Sequence, residues 1–286
     1  MFLTLGKAAH CGALLLLTTG TAHSSAPGST EGNHGASSLP VSNVAAASQN
    51  PVADLASLPF QLNLQYGVGP EEGFAPLLNI QPVLPVRLSQ RLLLITRAIV
   101  PLLALPAPSS TAGIGDLNLS WFLSPPSLGP LTLGFGPAVI LPTASSSALG
   151  RGLLFVGGTG VGVLTLGPIV AGALASHSYA IPQIPDEGLV QNSAIQPFLN
   201  WNGNDGWFLT SSPLIIASAT AGETPQWTVP IGGGAGRVFR LLGSLMSAQM
   251  GGYWNLVAPA YGPRWSLRLS LAFLFPTTAP SAAHTP

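Results

Sequence analysis

The chain has 286 residues, of which 47% are hydrophobic and only 6% are charged, and its formal net charge is zero. Ordinary soluble proteins carry about 25% charged residues, so a surface covered entirely by water is not expected. The neutral balance gives no indication of a nucleic-acid partner. Cys11 is the only cysteine, and histidines and carboxylates are not clustered, so neither a metal site nor another cofactor is expected.

Residues 1–26 predict a cleaved secretory signal peptide. Lys7 supplies the positive charge, and the apolar run from Ala8 to Leu17 is too short to cross a membrane as a helix. No later segment offers about 18 uninterrupted apolar residues. A very apolar, exported chain without spanning helices is explained by a closed β-barrel, because its strands pair laterally and leave no edge in lipid. We therefore expect the protein in a bacterial outer membrane.

Residues 27–56 predict a flexible leader that contains a short helix. The leader is rich in Ser, Gly, Ala and Asn. Asn50-Pro51 is a helix-start signal, since asparagine is a good N-cap and proline fits the first helical position, so the helix is expected from Val52 to Ser57. Two interpretations stay open: a simple lead-in to the barrel, or a small plug at its periplasmic mouth.

Residues 57–276 predict an all-β fold, a transmembrane up-and-down antiparallel β-barrel of about twelve strands, followed by a disordered tail at 277–286. The last strand, Arg264 to Phe275, is the clearest, because its large apolar residues fall on every second position over the ~9–11 residues that a tilted strand needs to cross a bilayer. An even strand number returns both ends to the periplasm, and ten or fourteen strands are also compatible. The other predicted strands are Leu58–Tyr66, Leu77–Leu88, Leu92–Leu103, Ile114–Leu123, Leu131–Leu141, Gly152–Leu166, Pro168–Tyr179, Val190–Trp201, Trp207–Ala219, Gln226–Arg240 and Leu245–Val257.

All six tryptophans fall near strand ends in this scheme. Amphipathic indole rings favour the two membrane interfaces, so they predict two aromatic girdles. The periplasmic girdle would hold Trp121, Trp201 and Trp207, and the extracellular girdle Trp227, Trp254 and Trp265.

Strand alternation directs a set of polar and charged side chains into the lumen. An arginine facing lipid near the midplane would cost about 2–4 kcal/mol, which favours the inward assignment of the arginines. Two interpretations remain for the charges: a structural ion pair between Arg97 and Asp116 on neighbouring strands, or a selectivity ring whose excess positive charge favours anionic or polar solutes. The predicted lumen residues are Arg87, Arg97, Asp116, Arg237, Arg264, Arg268, Gln61, Asn63, Asn79, Gln81 and Gln196.

Catalysis is not expected. His177 and Ser178 are adjacent and point to opposite faces of a strand, so they cannot form one nucleophile and base unit.

A barrel of twelve strands is intermediate in width between barrels filled by side chains and wide aqueous pores. The outer loops are short, the longest being Ala180 to Leu189. The favoured function is a pore or transporter for small solutes. The alternatives are a non-conducting barrel with a filled lumen and an outer-membrane lipid hydrolase.

Seven collinear segments carry a resemblance to a known family, and they begin at Asn50, Tyr66, Leu78, Gly113, Ile195, Gly206 and Trp227. From Asn50 to Phe275 the chain resembles bacterial outer-membrane β-barrel proteins labelled as meta-pathway phenol-degradation proteins or transporters, some of which carry the label neuromedin U. The resemblance implies an outer-membrane barrel that transports small, aromatic or hydrophobic compounds, with membrane lipid and the barrel-assembly machinery as partners. The chain departs from this family in its low charge and in the eleven residues that follow Phe275, because the final aromatic residue usually lies at the C-terminus.

Overall fold

The computed structural model describes residues 41–181, 190–220 and 224–276, which all fall in one compact unit. The predicted signal peptide, the first part of the leader, most of the predicted loop from Ala180 to Leu189 and the tail at 277–286 lie outside the described residues.

Fifteen strand segments form one antiparallel sheet. A single α-helix, α1 (Val41–Ser48), precedes them, and a 3-10 turn (Asn204–Gly206) connects two of them. The strands are β1 (Leu55–Val68), β2 (Gly73–Ile80), β3 (Val83–Ser89), β4 (Leu92–Ala104), β5 (Ala112–Ile114), β6 (Leu117–Ser124), β7 (Leu131–Leu141), β8 (Phe155–Leu166), β9 (Ile169–Ala180), β10 (Val190–Asn202), β11 (Trp207–Ser211), β12 (Ile215–Thr220), β13 (Gln226–Leu241), β14 (Ser244–Val257) and β15 (Trp265–Pro276).

The sheet closes into a barrel of twelve strands. β15 pairs with β1 from Leu55 opposite Pro276 to Tyr66 opposite Trp265. Three of the twelve strands are interrupted, so each is made of two segments: β2 with β3, β5 with β6, and β11 with β12. Pro82 and Pro213 lie in two of these interruptions, where the missing backbone N–H cannot join a ladder. The predicted all-β, twelve-stranded barrel is confirmed.

The two ends of the barrel differ. The end where β1 begins and β15 finishes has short connections, such as residues 90–91, 167–168 and 242–243. The opposite end has longer ones, including residues 105–111 and 142–154. Short periplasmic turns and longer extracellular loops are typical of outer-membrane barrels, so we refer to these as the periplasmic and extracellular ends.

The outer wall is apolar. Residues directly opposite each other on paired strands share one face, and the register places large apolar side chains outward along each strand. Leu84, Val86 and Leu88 on β3 and Met250 on β14 are each more than half exposed. A band of exposed apolar side chains around a closed barrel suits contact with lipid tails.

Among the described residues, no helix combines the length and the apolar character needed to cross a membrane.

The helix is not where the sequence predicted it. α1 spans Val41–Ser48, and Leu55 already begins β1, so the predicted helix from Val52 to Ser57 is wrong. Asn50 instead accepts a hydrogen bond at Oδ1 from the backbone N–H of Val52 at 3.0 Å. Asparagine also favours such turns, in which its side chain replaces a backbone acceptor.

Candidate functional site

The second half of α1 and the residues that join it to β1 fill the periplasmic half of the lumen. We call residues 44–54 the plug. On one side, Val44 and Ala45 pack in a cluster of buried, inward-facing side chains from β1, β11, β13, β14 and β15. On the other side, Val52 is 2% exposed and packs in a second cluster from β4, β6, β8, β9 and β10. The plug therefore separates opposite walls of the barrel and occludes the space between them. The wall residues of the two clusters are Leu55, Phe208, Val238, Leu245, Ala272, Leu274, Ile95, Phe122, Val161, Val163, Val170, Leu174 and Phe198.

Polar contacts hold the plug at the periplasmic rim. The amide groups of Gln49 and Asn202 form a reciprocal pair, with nitrogen to oxygen distances of 2.8 and 3.0 Å. Asn202 Nδ2 also donates to the carbonyl oxygen of Pro168 at 3.1 Å. Arg87 forms an ion pair with Asp54 of the plug. The structure thus places Arg87 at the mouth of the lumen, where a plug carboxylate balances its charge.

A chamber of about 240 Å³ lies against the plug. Plug residues from Ala47 to Ala53 form part of its lining, and the rest comes from several strands. Three of the predicted glutamines, Gln61, Gln81 and Gln196, line it together with Gln249 and Arg97. The structure therefore brings together, in one partly open chamber, side chains that are far apart in the sequence.

Arg97 lies in this chamber, and the ion pair predicted between Arg97 and Asp116 is not formed. Its Nη2 donates to Gln81 Oε1 at 2.6 Å, and Ser120 lies opposite it on β6. Asp116 sits near the extracellular end, where its carboxylate accepts from the backbone N–H groups of Ala144 and Arg151 at 3.2 and 2.7 Å. The four-residue offset along the strand separates Arg97 from Asp116, so there is no diagonal pair.

Arg268 links β15 to the interruption between β11 and β12. The residue is 8% exposed. Its Nη1 donates to the carbonyl oxygen and to Oγ of Ser212 at 3.0 and 3.2 Å, and its Nε donates to Asn63 Oδ1 at 3.2 Å. The guanidinium also lies 4.3 Å from the centre of the Tyr253 ring. Arg268 therefore satisfies a carbonyl oxygen that the broken ladder leaves free, in addition to carrying charge.

The described residues contain two ion pairs, Arg87 with Asp54 and Arg264 with Glu72. Arg97 and Arg268 belong to neither, so the charge at the centre of the lumen has no carboxylate beside it in this part of the chain. A lumen with excess positive charge favours anions electrostatically.

The extracellular mouth is narrowed by residues 142–154, which form a longer connection than the predicted longest outer loop from Ala180 to Leu189. Leu149 is 6% exposed and packs on the inner side at Gly113, where a Cβ atom would lie 3.0 Å from it. Arg151 donates from Nη2 to Ser218 Oγ on β12 at 2.6 Å. Burial lowers the pKa of Arg151 from its ordinary value, and the charge of Asp116 opposes this shift. An arginine remains charged under such conditions.

The remaining predicted lumen residues divide into three groups. Asn63 is buried beside Arg268, and Asn79 lies opposite Gln61 on the inner face. Arg264 is exposed at the extracellular rim, where it pairs with Glu72. The inward assignment of Arg237 is wrong.

Arg237 lies opposite Trp207 on the outer wall, near the periplasmic end. Its guanidinium is 5.3 Å from the Trp207 ring centre, and its Nε donates to the carbonyl oxygen of Asp205 at 3.2 Å. The cost of an outward arginine falls to about 0–1 kcal/mol near the membrane interface, so the rule that placed it inward does not apply at this depth.

The six tryptophans all project from the outer wall, three toward each end of the barrel. Their register partners are outward-facing residues, as for Trp121 opposite Thr96 and Trp254 opposite Trp265. Trp265 also stacks on Tyr66 with ring centres 4.1 Å apart. These positions suit interfacial girdles.

His177 has a partner that the sequence did not reveal. Its Nδ1 lies 2.7 Å from Ser193 Oγ, directly across the β9–β10 ladder on the outer face, and its ring meets Tyr179 edge-on. Within the described residues, no carboxylate or amide hydrogen-bonds to His177, so the third group that orients a catalytic base is missing. In the same part of the chain, no three His, Cys, Asp or Glu side chains are close enough to hold a metal.

Two phenylalanines of the chamber are placed by glycines. Phe198 lies opposite Gly172, and Phe208 opposite Gly236. A Cβ atom at Gly172 would lie 2.7 Å from the Phe198 ring, and one at Gly236 would lie 2.4 Å from the Phe208 ring. Each ring covers the bare backbone of its neighbour, as aromatic side chains do for glycines in β-sheets. Single-strand alternation could not reveal these contacts, because the glycines are on other strands.

No protein-family model matches the chain, and no curated protein matches it. Among solved structures, it is similar to the COG4313 outer membrane channel from Pseudomonas putida F1, with 16% identity, a TM-score of 0.57, and coverage of 77% of this chain and 94% of that one. Weaker similarities are to a Pseudomonas aeruginosa FadL homologue (11% identity, TM-score 0.37, 80% and 93% covered) and to the CymD monoaromatic hydrocarbon channel (10%, 0.36, 79% and 89%). The chain has the fold of an outer-membrane β-barrel channel.

Proposed function

We propose that this protein is an outer-membrane channel for small solutes, including aromatic and hydrophobic ones, whose lumen is closed at the periplasmic end by the plug. The observation that carries the proposal is the chamber itself. A barrel that served only as a structural element would need no polar chamber, yet this one contains a partly open chamber of about 240 Å³ lined by glutamines and Arg97.

Displacement of the plug would connect the chamber to the periplasm. The plug is held by a few hydrogen bonds, one ion pair and the burial of small side chains, of which Val44 and Val52 are the largest apolar ones. Fully burying a valine contributes about 1.5–3 kcal/mol. These contacts are modest in number compared with the continuous ladders of the wall, so the plug is the element most easily moved.

Conductance of the mature protein in planar bilayers tests the proposal. We expect small, discrete conductance steps that interrupt a mostly closed state, because the plug blocks the periplasmic half. The close packing of the plug also favours a second candidate function, a non-conducting barrel with a filled lumen. A correctly folded protein that stays silent at every applied potential would support that candidate and contradict the channel.

Replacing His177 with alanine tests the lipid-hydrolase alternative. We expect the rate of phospholipid turnover in mixed micelles to be the same for the wild type and the His177→Ala variant, since no carboxylate or amide of the described residues orients His177. The matched comparison is Ser193→Ala, which removes the other half of the pair. Turnover by the wild type that both substitutions abolish would establish catalysis and overturn this expectation.

A further inference from the structure

The lining of the chamber combines apolar and polar side chains. Leu174 and Phe198 are apolar, and Phe208 and Leu274 are apolar residues on the opposite side of the plug. Gln61, Gln81, Arg97, Gln196 and Gln249 are polar, and Gln196 lies directly across the β9–β10 ladder from Leu174. A pore that only passed water and ions would have no use for the aromatic rings, and a purely hydrophobic conduit would have no use for the cation. The combination matches a molecule with an apolar body and a polar end.

No carboxylate of the described residues balances the positive charge of Arg97. Its guanidinium donates one hydrogen bond, to neutral Gln81. Among the described residues, no aspartate or glutamate lines the chamber, and Arg97 takes part in no ion pair with any of them. A cation shielded from bulk water is stabilised by a paired anion, and the planar guanidinium fits a carboxylate through two parallel N–H···O bonds.

The volume of the chamber limits the size of the apolar part of a bound molecule. A dry apolar cavity of about 150 Å³ in another protein accepts benzene. At about 240 Å³, this chamber has room for one ring and a carboxylate. Phe198 offers a ring for stacking and belongs to the same cluster as Ile95, two residues before Arg97. Gly172 on the neighbouring strand leaves room for this ring.

We propose that the chamber binds a small amphipathic monoanion, with a single aromatic ring against Phe198 and a single carboxylate on Arg97. The inference rests on the proposed channel function and specifies its substrate class. The glutamines supply further donors to the carboxylate, and the plug retains the bound molecule until the periplasmic side opens.

Equilibrium binding of benzoate to the mature protein in non-ionic detergent, followed by calorimetry, tests the proposal. Benzyl alcohol is the neutral probe of similar shape. We expect saturable benzoate binding and at least about tenfold weaker binding of benzyl alcohol, since a charge-assisted pair is lost. Arg97→Gln should weaken benzoate binding by a similar factor, Arg97→Lys should retain part of it, and Arg237→Gln on the outer wall should leave it unchanged.

The outcomes separate this proposal from the channel function. Absence of saturable benzoate binding in a protein that conducts ions would overturn the proposal and leave the channel intact. Equal affinity for benzoate and benzyl alcohol, or unchanged benzoate affinity in Arg97→Gln, would also overturn it. Arg97-dependent binding by a protein that never conducts would support the binding site and contradict the channel. If Arg97→Gln does not fold, the wild-type comparison of the two probes decides.

Discussion

Deleting residues 41–52 is expected to raise the single-channel conductance of the barrel several-fold. Val44, Ala45 and Val52 occupy the space between the two apolar clusters of the inner wall, so their removal opens the periplasmic half of the lumen. The deletion leaves Asp54 and the whole of β1 in place. Planar-bilayer recordings of the deletion variant and the wild type, at the same salt concentration and potential, measure the effect.

A point variant tests the same prediction with the full chain. In Val52→Asp, a carboxylate replaces a side chain that packs against Ile95 and Phe122, which are 0% and 1% exposed, and burying an unpaired charge is strongly unfavourable. The plug should leave the lumen and the open state should become frequent. Leu242→Asp is the matched control, because Leu242 is 97% exposed in a periplasmic turn. Conductance equal to that of the wild type in both plug variants would show that the plug does not close the pore.

Replacing both Arg97 and Arg268 with glutamine is expected to shift the reversal potential in a salt gradient toward that of the cation. These two arginines lack a carboxylate partner within the described residues, whereas Arg87 and Arg264 are each paired. Their removal takes away the excess positive charge at the centre of the lumen, and selectivity follows the charge that lines the narrowest part. The measurement is the zero-current potential with KCl on both sides at unequal concentrations.

Arg237→Gln is the control, because it removes a positive charge from the outer wall and leaves the charge of the lumen unchanged. Its reversal potential should equal that of the wild type. Arg268 also holds Ser212 and Asn63, so the thermal stability of the double variant should be recorded as well; a hydrogen bond to a charged group contributes about 1.5–3 kcal/mol. A double variant that is folded and retains the wild-type potential would remove the two arginines from any role in selectivity.

The period-two pattern was sufficient to predict the barrel. Alternation in the last strand set which residues face out, and the same pattern recurred along the chain with enough regularity to give twelve strands. β7 begins and ends where the sequence placed it, at Leu131 and Leu141. This succeeds because each strand must present apolar side chains to lipid independently of its neighbours.

The plug was harder to predict, because the wall residues that contact it are apolar although they face the lumen, where polar side chains are expected. Leu274 interrupts the alternation of β15 with an apolar residue on the inner face, and the structure shows that it packs with Leu55 and Val44. Phe198 and Phe208 face inward for a related reason. Inward apolar residues near the periplasmic end are therefore a signal for a segment inside the lumen, which reasoning from one strand at a time does not detect.

The other errors have separate causes. Asn50 carried a helix-start signal, yet the turn it makes follows the helix, and the alanine run at 45–47 inside that helix has high helix propensity. The Arg97 and Asp116 pairing failed because it needed the exact register of β4 and β6. The outward position of Arg237 depends on its depth in the membrane, which alternation alone does not give.

The account depends on lipid covering the outer wall, and tryptophan fluorescence in vesicles of brominated phosphatidylcholine tests this most directly. Tryptophans on the outer wall such as Trp201, Trp207 and Trp254 are about half exposed and lie near the strand ends. We predict strong quenching by the brominated lipids, strongest when the bromines are near the head group, and weak quenching by aqueous iodide. Fluorescence that iodide quenches and brominated lipid does not would contradict the account.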